Sequence, residues 1–214
     1  MIHCIGDSHA AVFSGKDEMV PAWPEQSNDT LELFRSYRIG PATAYQLENK
    51  IPIIDNILQL RVNKDSDYIL FCFGEVDIRA HLIKQLELQK TNIESLVEEC
   101  VDRYFRVILY YKEQGYNTLA WGPIASWHPS KPYIGGPSYG TCRERNNATY
   151  LFNQRLKQRC VQYSVGFVSI FDKMIDEEGI TIPDYLDNWE GSHIHLSQTT
   201  MPLIIQSFKE NNFI

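Results

Sequence analysis

Asp7-Ser8-His9 comes directly after a short apolar run, Ile2 to Ile5, and a glycine, Gly6. A serine placed where a strand ends can project its hydroxyl into solvent above a sheet. To work as a nucleophile it needs a base for its proton, a group that orients the base, and donors for the oxyanion. The residues after Ser8 read as a helix start, whose free backbone N–H groups can act as such donors. The base has to come from far along the chain. Between Asp187 and His195, in Asp187-Asn-Trp-Glu-Gly-Ser-His-Ile-His195, two of the chain's six histidines, His193 and His195, sit with two acids, Asp187 and Glu190. The bland alternative for Ser8 is a helix cap. His9 reads as a neighbour that shapes the pocket.

The elements that must position these groups alternate between strand and helix. Strands are expected at Ile2–Ile5, Leu33–Ile39, Tyr68–Phe73, Thr118–Ile124 and Val165–Phe171. Tyr68-Ile-Leu-Phe-Cys-Phe73 is the clearest of them, a continuous apolar run of the kind found in a strand covered on both faces. Ala42–Asn49 reads as helical, and Ile51–Leu60 is a mixed apolar run that the pattern leaves unassigned between strand and helix. Residues 80–114 read as one helix, with Ile93, Leu96, Val97, Cys100, Val101, Tyr104, Phe105 and Ile108 at three- and four-residue spacing. Further helices are expected at Arg143–Tyr163 and Ser197–Asn211. The pattern predicts an α/β fold, three layers α/β/α around a five-stranded, mostly parallel sheet, in one domain spanning 1–214. Ligands of such sheets bind at the carboxyl ends of the strands. That rim collects Asp7-Ser8-His9, Gly40-Pro41, Gly74-Glu-Val-Asp77 and the long loop from Trp121 to Thr141. Trp121, Trp127, Tyr133 and Tyr139 in the loop region can stack on a sugar ring or anchor the loop. Glu75 and Asp77 are either ligand contacts or a solvated loop.

Taken in order, Gly6-Asp7-Ser8, Gly40, Gly74-Glu-Val-Asp77 and the late acid-and-histidine segment resemble the SGNH (GDSL-type) hydrolase superfamily, over nearly the whole chain. Gly-Asp-Ser-His with Gly-Glu-Val-Asp-Ile-Arg further resembles a bacterial GDSH/GEVD-type branch linked to surface-polysaccharide metabolism. The resemblance implies the flavodoxin-like SGNH-hydrolase fold, Ser8 as nucleophile, and the N–H groups of Ser8 and Gly40 as oxyanion donors. Two positions depart from the pattern. Val76 stands where the family has an oxyanion asparagine, and loss of one such donor costs about 10²–10³ in turnover. Arg79 or Glu75 are the candidates to compensate. In the late block, Glu190-Gly-Ser-His193 keeps the family spacing with Glu for Asp. His195-Leu-Ser197 better matches the residues just past the family histidine, but Ser192 then takes the acid position. The resemblance favours His195 as base, His193 next, with Glu190 or Asp187 as orienting acid.

Composition narrows the function classes. The chain has 214 residues, 43% hydrophobic, and a formal net charge of −7, against the basic face that nucleic-acid binding needs. No apolar run approaches the roughly 20 residues of a membrane span, and Gly6-Asp7 cuts the first one short of a signal peptide. Five unpaired-looking cysteines fit a cytoplasmic protein with free thiols. There is no organic-cofactor motif. Three functions are thus expected to compete. One is a serine-dependent esterase or acyltransferase acting on a small-molecule or carbohydrate ester, with no cofactor. The second is a metal-dependent phosphoesterase using Asp7, His9, His193 and His195. The third is a carbohydrate-binding module without turnover. Oligomeric state is left open.

Overall fold

The computed structural model describes residues 1–25, 30–131, 133, 136–187 and 192–214. Five parallel strands, β1 (Ile2–Gly6), β2 (Phe34–Arg38), β3 (Tyr68–Cys72), β4 (Asn117–Trp121) and β5 (Gly166–Val168), form one sheet in the order β2-β1-β3-β4-β5. This is the flavodoxin-like order, whose ligand crevice lies at the carboxyl ends of β1 and β3, where the strand order reverses. Side chains alternate across the sheet as the pleat requires. Ile5, Ile69 and Phe71 enter one core with Ile54, Tyr104 and Phe152. Cys4, Leu70 and Cys72 enter the other with Phe13, Trp121 and Phe208. The first core is covered by α1 (Ile51–Arg61), α4 (Ile93–Glu113) and α5 (Cys142–Gln162). The second is covered by α6 (Met201–Glu210) and the 3₁₀ segment Ser8–Ser14. The result is the three-layer α/β/α architecture.

Strand bounds differ from expectation mainly at β4 and β5, which end early so that their rim residues become loop. The expected helix at Ala42–Asn49 is only a 3₁₀ turn, Leu47–Lys50, and the ambiguous run after it is the helix α1. Most consequential is the region read as one helix over 80–114. It starts earlier, at α2 (Glu75–Asp77), passes through a π turn at Ile78–Leu82 into α3 (Ile83–Gln89), and breaks at Lys90 before α4. Lys90 has φ +50°, a left-handed conformation that ends the helix, and the Asn92 side chain then accepts from Ser95 N–H to start α4. Gly74-Glu-Val-Asp77 is therefore the first turn of a helix and not a loop. At the end of the long rim loop, Thr141 and Glu144 form a reciprocal capping box that starts α5.

Candidate active site

Gly6 ends β1 with Cys72 O only 2.6 Å from where a Cβ would stand, so only glycine allows β1 and β3 to lie this close beneath the serine. Asp7 caps the following 3₁₀ segment by accepting His9 N–H at 2.8 Å. Ser8 is the first residue of that segment, and its Oγ lies 2.9 Å from His195 Nε2. His195 Nδ1 faces Asp187 Oδ2 at 3.2 Å. With the proton on Nδ1, Nε2 is free to accept from the serine hydroxyl. Acid and base meet across a short antiparallel ladder. Leu186 bridges Leu196, Asp187 N–H donates to His195 O at 2.8 Å, and Ser197 N–H donates to Tyr185 O at 3.0 Å. Ser192, three residues before His195, has its hydroxyl 3.4 Å from Asp187 Oδ2 and 3.5 Å from His195 Nδ1. His193 points its Nδ1 at the carbonyl of Asp187, 2.8 Å away, with its own backbone at φ +46°. It braces the acid and is not next to the serine hydroxyl. Glu190 lies outside the described residues.

A second polar array runs behind the first. His9 stacks at a tilt on His195, ring centroids 4.7 Å apart. Its Nδ1 is 2.9 Å from Asp7 Oδ1, and its Nε2 is 3.2 Å from Glu75 Oε2, close enough to pair though not aligned as a hydrogen bond. Glu75 accepts from Arg79 Nε at 2.7 Å, and Arg79 donates in turn to Tyr133 Oη and to Pro137 O. All four ionisable groups are buried, between 2% and 7% exposed, and alternate in sign. Burial works against charge on His9, but Glu75 and then Asp7 outweigh it and raise its pKa. Burial lowers the pKa of His195, a shift opposed by its bond to Asp187 and reinforced by His9. A base held neutral below the ordinary histidine range suits proton abstraction at neutral pH. The π turn matters here, because it adds a residue to the helix just where Arg79 leaves it to reach Tyr133.

Gly40 faces Ser8 across a cleft of about 750 Å³, which Val76 and Arg79 also line. Gly40 has φ +83°, and neither its N–H nor that of Ser8 donates to another described residue, so both are open to a ligand. Asp77 has a different role from the one expected of a rim acid. It is 1% exposed and accepts from Ala44 N–H at 2.7 Å and Tyr45 N–H at 3.0 Å, fixing the turn that follows Gly40. Burial pushes its carboxyl up to about 6. Trp127 does not face the cleft. Its ring lies flat on Tyr133 (5.3 Å, 4°), with the Arg145 guanidinium 4.8 Å from its centroid. Trp121 is core. These aromatics anchor the loop and, through Tyr133, hold Arg79. Nothing in the sequence marked Tyr133 for that work, whereas the four-residue spacing of Glu75 and Arg79 does mark an ion pair once the segment is helical. Among the described residues no group of three or more His, Cys, Asp or Glu side chains is arranged to hold a metal ion. Asp7 and His9 bind each other, and His193 and His195 point to different partners. No described helix is long and apolar enough to cross a membrane.

A fold of this class is shared with known esterases. A protein from Streptococcus pneumonia provisionally termed a platelet activating factor superposes with a TM-score of 0.62 at 17% identity, over 98% of this chain and 82% of that one. Axe2, an acetylxylan esterase from Geobacillus stearothermophilus, gives 0.58 at 13% identity, over 98% and 92%. The acetyl xylan esterase AlAXEase gives 0.54 at 11%, over 98% of both chains. Two further Axe2 structures are of catalytic mutants in which a serine or a histidine is replaced by alanine. No family model matches the sequence, and no curated protein matches it. At such identities the likeness is one of fold, the α/β/α fold of SGNH hydrolases.

Proposed function

We propose that the chain is a serine-dependent hydrolase of carboxylic esters, acting through Ser8, His195 and Asp187. The observation that carries this reading is the unbroken line from Ser8 Oγ to His195 Nε2 (2.9 Å) and from His195 Nδ1 to Asp187 (3.2 Å). Ser8 Oγ attacks the ester carbonyl as its proton passes to His195 Nε2. The carbonyl oxygen becomes an oxyanion that the N–H groups of Ser8 and Gly40 stabilise. His195 returns the proton to the departing alcohol, which leaves an acyl-Ser8 ester. Water then attacks that ester as His195 takes its proton, the Ser8 Oγ–acyl bond breaks, His195 returns the proton to Ser8 Oγ, and the acid is released. A sugar hydroxyl in place of water would make the same site an acyltransferase. Asp187 holds the imidazole tautomer and stabilises its charged form. Val76 brings no third donor, so turnover is slower than with an asparagine there, by about 10²–10³. The esterase neighbours support ester substrates, and the acetylxylan esterases among them support an O-acetylated carbohydrate. The branch resemblance adds surface-polysaccharide metabolism as the setting. The spent valences of Asp7, His9 and His193 speak against the two-metal alternative.

The test is hydrolysis of phenyl acetate with and without chelator. Activity is expected to survive chelator and to fall by about 10⁴ or more in Ser8→Ala and in His195→Ala. Full activity in Ser8→Ala, or loss on chelation, would sink the proposal. Wild type inert towards phenyl acetate and acetylated sugars alike would favour a binding module.

A further inference from the structure

Resting on the esterase reading, we infer that the substrate carries an anionic group, seated between Arg38 and Lys50 on the wall of the cleft that opens at Ser8. Both residues line that cleft together with Ser8, Gly40 and Arg79. Arg38 is the last residue of β2, so its side chain starts at the rim. Its Nε is tied to Val20 O at 2.7 Å, which fixes the guanidinium while leaving its two terminal nitrogens without a partner among the described residues. Lys50 ends the 3₁₀ turn Leu47–Lys50 and makes no ion pair with a described residue.

Acids outnumber Lys and Arg 27 to 20, and the other arginine of the cleft, Arg79, is already paired with Glu75. In the cleft wall the excess is reversed. Among the described residues its sole carboxylate is Asp7, which is turned to His9 and compensated by it. On the other side of Ser8, a crevice of only about 10 Å³ carries Asp17 and Glu18, and these are occupied by Gln198 N–H and Lys16. An acidic protein with two cations free of acids among the described residues on the open side of its serine attracts and orients a negative charge there. The guanidinium fork and the ammonium suit a carboxylate, a sulfate or a phosphate. That charge can sit on the alcohol part of the ester, as in an acylated uronic acid, or on the acyl part, as in a hemisuccinate.

Three esters of one sugar separate these sources: the O-acetates of methyl glucoside and methyl glucuronoside, and the O-succinate of methyl glucoside. At low salt, kcat/KM for one anionic ester is expected to exceed that of the neutral acetate about tenfold, equivalent to about 1.4 kcal/mol. The glucuronoside winning assigns the charge to the sugar, and the succinate winning assigns it to the acyl group. In Arg38→Gln/Lys50→Gln the preference should fall to about twofold or less, through KM more than kcat, and in wild type it should shrink as salt shortens the screening length. Arg38→Lys/Lys50→Arg, which keeps both charges, should retain most of it and so excludes a folding defect. Equal or poorer turnover of both anionic esters by wild type overturns the inference, as does a preference that persists in the double glutamine variant. If wild type hydrolyses none of the three esters or phenyl acetate, the esterase reading fails by itself. Titration calorimetry with methyl glucuronoside, succinate and methyl glucoside then reads the anion site alone, and equal binding of all three overturns it.

Discussion

His195 is buried beside a second histidine that is flanked by two carboxylates, and under the proposed mechanism this sets the pH at which it would act as base. Burial, with His9 beside it, holds its pKa below the usual value for histidine. The acid limb of kcat/KM is therefore expected below about pH 6.5, with activity lost only as pH falls through that lowered value. In His9→Gln the positive neighbour goes, and Asp7 and Glu75 lose the charge that offset them. Both changes favour protonated His195, so the limb should move to higher pH, and an unmoved limb would show that His9 has no electrostatic part. Asp187→Asn should lower kcat about 10³–10⁴-fold by freeing the wrong tautomer, with KM little changed. That a late histidine and acid meet the early serine was legible in sequence, because the stretch from Asp187 to His195 is dense in both residue types. Which acid faces His195 was not. The family habit puts acid and base three residues apart on one stretch, but here they are opposed across a ladder, and cross-strand pairing leaves no fixed spacing to read.

At the scale of elements, the helix that follows β3 does two jobs with one turn. Asp77 points back to hold the Ala44–Tyr45 turn, and Arg79, carried by the π turn, holds the 125–141 loop through Tyr133 and Pro137. Asp77→Ala leaves the N–H groups of Ala44 and Tyr45 without their acceptor, an expected loss of about 2–4 kcal/mol in urea unfolding. The folded pKa of Asp77 is raised to about 6, so the carboxyl prefers to be protonated in the fold. Its contribution to stability is complete below its unfolded pKa of about 4 and fades as pH rises through about 6. The difference in stability between wild type and Asp77→Asn should therefore change across that window and be flat above it. Arg79→Met leaves Glu75 buried with its charge exposed only to His9, and it releases the loop. Limited proteolysis between 128 and 138 should speed up, and unchanged cleavage would remove Arg79 as the loop's anchor. The π turn leaves no mark in the sequence period, because one extra residue leaves the apolar spacing on either side intact. α1 is ambiguous in sequence for another reason: Ile51, Ile53, Ile54, Ile57 and Leu58 satisfy a strand alternation and a helical stripe together.

For the whole molecule, the strand and helix alternation was enough to predict the layers, since continuous apolar runs mark strands buried on both faces. The sheet order, by contrast, depends on which strands pair, and pairing is settled by packing between residues remote in sequence. The same remoteness governs the site. Ser8 and His195 lie 187 positions apart and touch only because β1 and the ladder near Asp187 are seated on the same rim. During synthesis the serine emerges 187 residues before the histidine. A growing chain on the ribosome therefore carries an unarmed hydroxyl until the segment around His195 has been made. Under the proposed mechanism, chemistry becomes available only when that segment docks, so turnover of an ester would report that docking in a single, easily followed signal.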